Sequence, residues 1–427
     1  MTTTLPERAS RPYDGADLSS NAFWAATAEE RERTFAVLRR ERPVSWHRPV
    51  ENGLFEDPND QGFWAVVTHR HLVEVTKRHD DFLSGEGIVF ESMPQELLDA
   101  AQGFIAMDPP RHTKVRRLLS SAFTPKQMAR TDDRIRANAK RIVDDLAQLS
   151  GEVDFVEHVS ALVPMHNICD MVGIPEQYRR TIAHEVQFAG GWRDPELMQG
   201  ADPMTRLFET TMTLAGIAGE LITARRAEPQ DDLLTALVQA EVDGERLTDE
   251  EIVSFFGLLM VAGNDTTRQS TSHAMLALTQ FPDQRAWLVE DLDARMTTAV
   301  EEMVRWATPI MTFRRTAARD CELDGQRITA GDKVVLFYSS ANRDETVFDA
   351  PERFDLSRDP NPHVGFGGGG IHHCLGNQLA RRQLAAVWRE LLTRLPDLRV
   401  TGEPVYGSGN FFATVQKLPV TFSDGKA

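Results

Sequence analysis

One stretch constrains the fold of this chain more than any other. Thr248-x-x-Glu251 is a capping box, in which a hydroxyl and a carboxylate satisfy the first free amides of a helix. The helix can then continue to Gln280, where Phe281-Pro282 stops it, because a proline disfavours the α conformation of the residue before it. Such a helix is roughly 48 Å long at 1.5 Å per residue. Residues 252–261 are apolar on nearly every face, the mark of a helix running through the middle of a protein. The apolar run Ile252 to Gly263 falls well short of the ~20 residues that a bilayer span requires, and it ends at Asn264-Asp265.

The remaining patterning is that of one large, mainly α protein. Residues 1–17 read as a flexible N-terminal arm and 18–427 as a single domain. Helix is expected at Glu29–Arg40, over most of Arg111–Gln280, at Ala299–Trp306 and from about Leu375 to Leu395. Breaks fall at Gly173-Ile174-Pro175 and across Ala189–Pro203, which reads as a loop between helices. Strand character is confined to Gly62–Val67 and Thr329–Tyr338, and Leu83–Met107 lacks steady periodicity. A net charge of -17 disfavours binding to a nucleic-acid backbone. Three cysteines without a C-x-x-C pair suggest neither a disulfide framework nor a zinc cluster. The N-terminus lacks the apolar core of a signal peptide, so a cytoplasmic protein without a membrane anchor is expected.

Three segments carry chemistry. In Phe366-Gly-Gly-Gly-Gly-Ile-His-His-Cys374-Leu-Gly376 the cysteine sits just before a helix, whose free amides favour a thiolate. The glycines allow close approach of backbone to a flat group, and Gly376 removes a side chain where a ring could press. On these residues alone two readings stay open: a ligand to haem iron, or a small buried hydrophobe. Gly365-x-Gly367-x-x-Gly370 matches a dinucleotide motif only literally, since no strand precedes it, and His372-His373-Cys374 are too close together to surround a zinc ion. Within the central helix, Ala262-Gly263-Asn264-Asp265-Thr266-Thr267 places an acid and a hydroxyl where burial is costly without a task or partner. Asp108-Pro-Pro-Arg-His112-Thr-Lys-Val-Arg116 opens a helix with His112 and Arg116 on one face. Glu302-x-x-Arg305 alone is an ordinary helical ion pair.

Together these motifs resemble the cytochrome P450 family over nearly the whole chain. The resemblance implies haem b with Cys374 as axial thiolate, and Asp265 and Thr266 as the pair that delivers protons to bound dioxygen. It implies His112, Arg116, Arg315 and His372 as partners of the haem propionates. Glu302 and Arg305, with Arg353 of Pro351-Glu-Arg353-Phe354, would form a structural Glu-Arg-Arg triad. One feature departs from the family: Phe366 lies eight residues before the cysteine rather than seven, consistent with one extra glycine in the loop. The reaction implied inserts one oxygen atom from O2 into a C–H bond. Electrons would come from NAD(P)H through a ferredoxin and its reductase, docking near Arg111, Lys114, Arg117 and Arg381-Arg382.

A substrate pocket is expected from Ile88, Val89, Phe90 and Phe104, from Trp192, and from Phe255, Leu259, Ala262 and Gly263, with Ile310, Met311 and Phe412 completing it. Nearly all are apolar, which calls for an apolar ligand. The motif sequences look most like mycobacterial members that oxidise methyl-branched lipids, terpenoids and sterol side chains. Hydroxylation of a branched fatty acid or isoprenoid, at a chain end, is therefore expected, by a monomer. The rivals are a sterol side-chain hydroxylase, a peroxide-driven oxygenase and a haem-bound lipid sensor or carrier.

Overall fold

The computed structural model describes residues 11–53, 55, 57–93, 103–122, 125–191, 198 and 200–423. The chain is mainly helical, at about 53%. Its axis is a helix spanning Asp249–Gln280, with both halves of the Thr248–Glu251 capping box made and Phe281 as the C-cap. Pro282 opens the following helix, Pro282–Glu290.

The two halves of this central helix enter different cores. Ile252, Phe255, Phe256 and Met260 pack with Leu118, Leu119, Ile168, Ile217 and Leu221. Ala274 to Leu278 pack instead with Val300, Met303, Trp388 and Leu391, from the helices Leu292–Ala307 and Asn377–Arg394. The second half is buried although its sequence is polar. Ser270, Thr271 and Thr279 turn their hydroxyls back onto carbonyls four residues earlier, Ser272 bonds Ser160 at 2.8 Å, and Gln269 accepts from the Val415 amide at 2.7 Å. Such bonds remove the cost of burying hydroxyls and amides.

A five-stranded sheet flanks the helices in the order Val44–His47, Phe63–Val66, Lys333–Phe337, Thr312–Ala317, Phe82–Leu83. Only the pairing of Lys333–Phe337 with Phe63–Val66 is parallel. The strand Thr312–Ala317 carries no strand signal read above, because its two arginines obscure the alternation. Residues within the segment read as an arm lie against this sheet: Arg11 bonds Asp332 at 2.6 Å and the Asp14 amide donates to Trp46. The span expected as a loop before Pro203 is partly helix, since one helix runs Glu176–Gly191 and the next Pro203–Ala227.

Glu302 and Arg305 are not an exposed pair. Both are fully buried and bonded fork to fork at 2.7 Å. The third member is Arg358, whose Nε reaches Glu302 at 3.2 Å. Arg353, expected in that place, is exposed and contributes only its carbonyl, which accepts from Arg305 at 3.0 Å. The turn following Arg353 carries its side chain outward and brings Arg358 back. Among the described residues, no helix is long and apolar enough to cross a membrane.

Candidate functional site

A cavity opens between the two cores. Its roof is a stripe of the central helix (Phe255, Leu258, Leu259, Ala262, Gly263, Thr266, Thr267 and Ser270) at the three- and four-residue spacing of one helical face. The Cys374 loop and the start of the helix Asn377–Arg394 form the floor. The empty space is about 1620 Å³, a figure that includes the open mouth and the solvent in it.

The floor is held by backbone. The Cys374 amide donates to the Phe366 carbonyl at 2.9 Å and the His373 amide to Gly370 at 3.0 Å. Arg116 Nη2 donates to the His373 carbonyl at 2.6 Å, and Asn377 Nδ2 to that of Cys374 at 2.7 Å. Gly367 and Gly369 take positive φ, +102° and +82°. Gly368 and Gly370 serve packing against the helix His69–Lys77 rather than a cofactor: a Cβ would lie 2.4 Å from Thr76 Oγ1 or 1.9 Å from the Thr76 carbonyl oxygen. At Gly376 a Cβ would meet nothing within 4 Å, so the cavity face is clear there. Burial pushes the Cys374 thiol pKa up, while the Gly376 amide, Arg116 and Arg381 favour the thiolate. A cationic metal on sulfur would complete that balance.

The four basic residues converge at one side of the cavity. Arg116, Arg315 and His372 line it, and His112 lies behind, its ring tilted against that of His372 with centroids 4.2 Å apart. Among the described residues, neither ring nitrogen of His112 has a partner. Burial, with Arg116 close by, lowers its pKa to about 4, and burial with Arg315, His112 and Arg116 lowers that of His372 to about 2. Asp108, the acid in the neighbourhood, is occupied by the amides of Ser84 and Gly85. A cluster of cations and unsatisfied donors facing a flat apolar space fits a cofactor bearing two carboxylates, as haem does. Ser84, which bonds His372 at 3.1 Å, was not singled out from sequence. Their separation of 288 positions leaves no sequence signal.

Thr266 faces the cavity and donates its hydroxyl to the Ala262 carbonyl at 2.8 Å. Asp265 lies one residue off the lining stripe and is 6% exposed. Burial raises its pKa to about 6, opposed by Arg268, whose Nη1 is 3.8 Å from Oδ1. Among the described residues, Asp265 Oδ2 has no partner.

Of the expected pocket residues, Ile88, Phe104, Phe255, Leu259, Ala262, Gly263 and Ile310 line the cavity. Phe90 and Met311 do not: they belong to an aromatic core with Trp24, Phe35 and Phe337. Val89 is half-buried off the lining, and Phe412 instead bridges Ile310 and packs on Phe411. Trp192 lies outside the described residues. Ile105, Leu258, Pro309 and Phe313 line the cavity without having been expected. Leu258 was accessible from helical spacing, being three after Phe255, whereas Phe313 lies on a strand that the sequence did not reveal.

The basic residues on the cysteine side are paired internally. Lys114 meets Glu245 at 2.9 Å, Arg117 meets Asp243 at 2.5 Å, and Arg382 meets Asp132 at 2.6 Å. Arg111 is looser, 4.0 Å from Glu251.

Comparison with known proteins agrees with this geometry. A family model described as Cytochrome P450 matches residues 200–396. A methyl-branched lipid omega-hydroxylase of Mycobacterium tuberculosis is 41% identical over 414 residues, covering 96% of each chain. A steroid C26-monooxygenase of Mycolicibacterium smegmatis is 38% identical over 86% of this chain and 85% of its own. Among solved structures, Mycobacterium marinum CYP268A2 in complex with pseudoionone superposes with a TM-score of 0.93 at 57% identity, covering 97% of this chain and 100% of that one.

Proposed function

This chain belongs to the cytochrome P450 family, and on that premise we propose that it hydroxylates a methyl-branched, isoprenoid-like lipid near a chain end. The observation that carries the substrate class is the cavity lining beside Thr266. Phe104, Phe255, Leu259, Ala262, Pro309 and Ile310 are apolar, and hydroxyls enter the roof only from Thr266 onward, at Thr266, Thr267 and Ser270. A branched hydrocarbon end suits such a wall, whereas a charged head would lose its hydration there. The relatives' own names, a branched-lipid omega-hydroxylase and a complex with pseudoionone, support the same class.

When bound, the haem supplies the iron at which dioxygen is activated and one oxygen atom is transferred. Cys374 would hold that iron through its thiolate. Arg116 and Arg315 would neutralise the propionates, His112 and His372 would hydrogen-bond to them as neutral imidazoles, and Gly376 leaves its part of the cavity floor free of a side chain. Asp265, with a pKa of about 6, can carry a proton at neutral pH. The Thr266 hydroxyl can pass it into the cavity once it turns from Ala262.

Electrons are proposed to come from NAD(P)H through a ferredoxin and its reductase, entering near Arg111, Lys114 and Arg117. Their helix, Arg111–Ala122, touches the cysteine loop through Arg116. The steroid C26-monooxygenase relative supports a second reading, attack on a sterol side chain, whose branched end presents the same shape. The test is a panel of a methyl-branched fatty acid, an acyclic terpenoid ketone and cholestenone, read by substrate-induced difference spectra and by products with a reconstituted ferredoxin system. Spectral shift and terminal oxidation with the first two are expected. Silence across the panel would remove the lipid assignment.

A further inference from the structure

Arg381 lies on the cysteine side, yet it is turned inward. Its guanidinium stacks 4.3 Å from the ring centroid of Phe366, the residue whose carbonyl accepts the Cys374 amide at 2.9 Å. Its Nη1 donates to Asn377 Oδ1 at 2.7 Å, and Asn377 in turn donates to the Cys374 carbonyl. One cation therefore touches both residues that hold the backbone of the ligand. Glu301 fixes it, accepting from Nε at 2.5 Å and from Nη2 at 2.9 Å. On its other side Glu301 bonds His363 Nε2 at 3.0 Å, and His363 Nδ1 accepts the Gly365 amide at 3.1 Å. Glu301 and Glu302 are neighbours on one helix with separate tasks: Glu302 faces Arg305 and Arg358, and Glu301 faces the cysteine loop.

The geometry points to Glu301 as a positioning residue that sets the reduction potential of the Cys374-bound iron, by clamping Arg381 on Phe366 and offsetting its charge. The inference rests on the haem-thiolate reading above. Taking up one electron makes the iron–thiolate unit more negative by one charge, without bond change. A nearby cation favours the reduced state and a nearby anion the oxidised one, and partial burial leaves both effects poorly screened. Burial opposes ionisation of Glu301, but the bonds from His363 and Arg381 hold its pKa at about 2, so it is an anion throughout the working range.

The experiment compares holoenzyme with its Glu301→Gln, Arg381→Gln and Arg381→Lys forms by dye-equilibrated spectroelectrochemical titration, with the ferrous–carbonyl spectrum recorded for each. Glu301→Gln should move the midpoint potential to more positive values and Arg381→Gln to more negative ones. Arg381→Lys should stay near wild type. General loosening of the loop would move both Gln variants in the same direction. Shifts of equal sign, or an unmoved or negative shift in Glu301→Gln, overturn the inference. Should Arg381→Gln fail to load haem, the Glu301→Gln potential decides alone. Failure of the underlying reading is distinguishable, because wild type itself would then lack the thiolate-type ferrous–carbonyl band.

Discussion

The hydroxyl of Thr266 is bonded to the carbonyl of Ala262, one helical turn back, while facing the cavity. This satisfies the hydroxyl when no ligand is present and lets it swing inward at the cost of one hydrogen bond. Thr266→Ala should therefore bind substrate normally but form product on the order of 100-fold more slowly, the scale of a lost proton-transfer group. Thr266→Ser should recover most of the rate. Spectral Kd and product formation, measured together, check this. A large change in Kd with product rate intact would make Thr266 a binding residue only.

Asp265 adds a pH signature. Burial raises its pKa from 3.8 to about 6, against the pull of Arg268. The folded protein thus keeps a proton that the unfolded chain has already released. The stabilisation from this proton is complete below about pH 4 and is lost as pH rises through 6. Two units of pKa correspond to about 3 kcal/mol. Asp265→Asn should accordingly gain stability over wild type as pH rises from 4 to 7, while losing product formation. Denaturation curves across that range test the point. A stability difference constant with pH would mean that the carboxyl titrates normally.

The basic side of the cavity predicts how tightly the cofactor is held. Arg315 is buried and, among the described residues, bonds only the carbonyl of its neighbour Arg314 through Nη1, at 2.7 Å, leaving other donors for a carboxylate. A hydrogen bond to a charged group contributes about 1.5–3 kcal/mol. Arg315→Gln should release haem to an excess of apomyoglobin on the order of 10- to 100-fold faster than wild type. An unchanged release rate would remove Arg315 from the propionate set.

Legibility in the sequence followed the range of the interactions. The central helix could be read to within a residue because the Thr248–Glu251 box, the apolar run and Phe281-Pro282 are all local signals. That Cys374 and Thr266 line one cavity, with Asp265 buried beside it, follows from equally local signals. Arg358 was not, since it reaches Glu302 across 56 residues and only the path of the intervening turns selects it over Arg353. The pocket was half legible. Ile88 and Phe90 part company, one into the cavity and one into the aromatic core, because no ladder imposes a two-residue alternation on this irregular segment. Phe104 and Leu259 sit where regular helix fixes their direction, or directly against such a helix.

The same comparison supplies a stability test. Removing one partner of a buried, bonded charge set costs about 3–5 kcal/mol, whereas an exposed side chain usually matters by no more than about 0.5 kcal/mol. Arg353→Ala should unfold in urea as wild type does. Arg358→Ala, which strips one of the bonds to buried Glu302, should shift the midpoint clearly downward. Equal shifts for the two would contradict the assignment of Arg358 to the triad.

The proposed point of electron entry lies beside the hairpin formed by Glu241–Val242 and Glu245–Arg246. Asp243 and Gly244 form its tip, with φ of +55° and +80°, the left-handed conformations a tight two-residue turn requires. That tip places Asp243 on Arg117 and Glu245 beside it on Lys114. The cations that an acidic ferredoxin would seek are thus already neutralised by the chain's own carboxylates. These pairs are largely exposed and contribute little to stability, so a partner can displace them, but they weaken the long-range attraction that speeds encounter. Asp243→Asn/Glu245→Gln should therefore raise the rate of reduction by an acidic ferredoxin at low salt by roughly a few-fold. The gain should vanish as ionic strength rises, because added salt screens the exposed cations. Charge reversal at Arg117 should act the opposite way. Stopped-flow reduction across a salt series distinguishes the outcomes: if the double variant reduces more slowly, the hairpin itself is part of the docking surface, and if neither change matters, the ferredoxin approaches elsewhere.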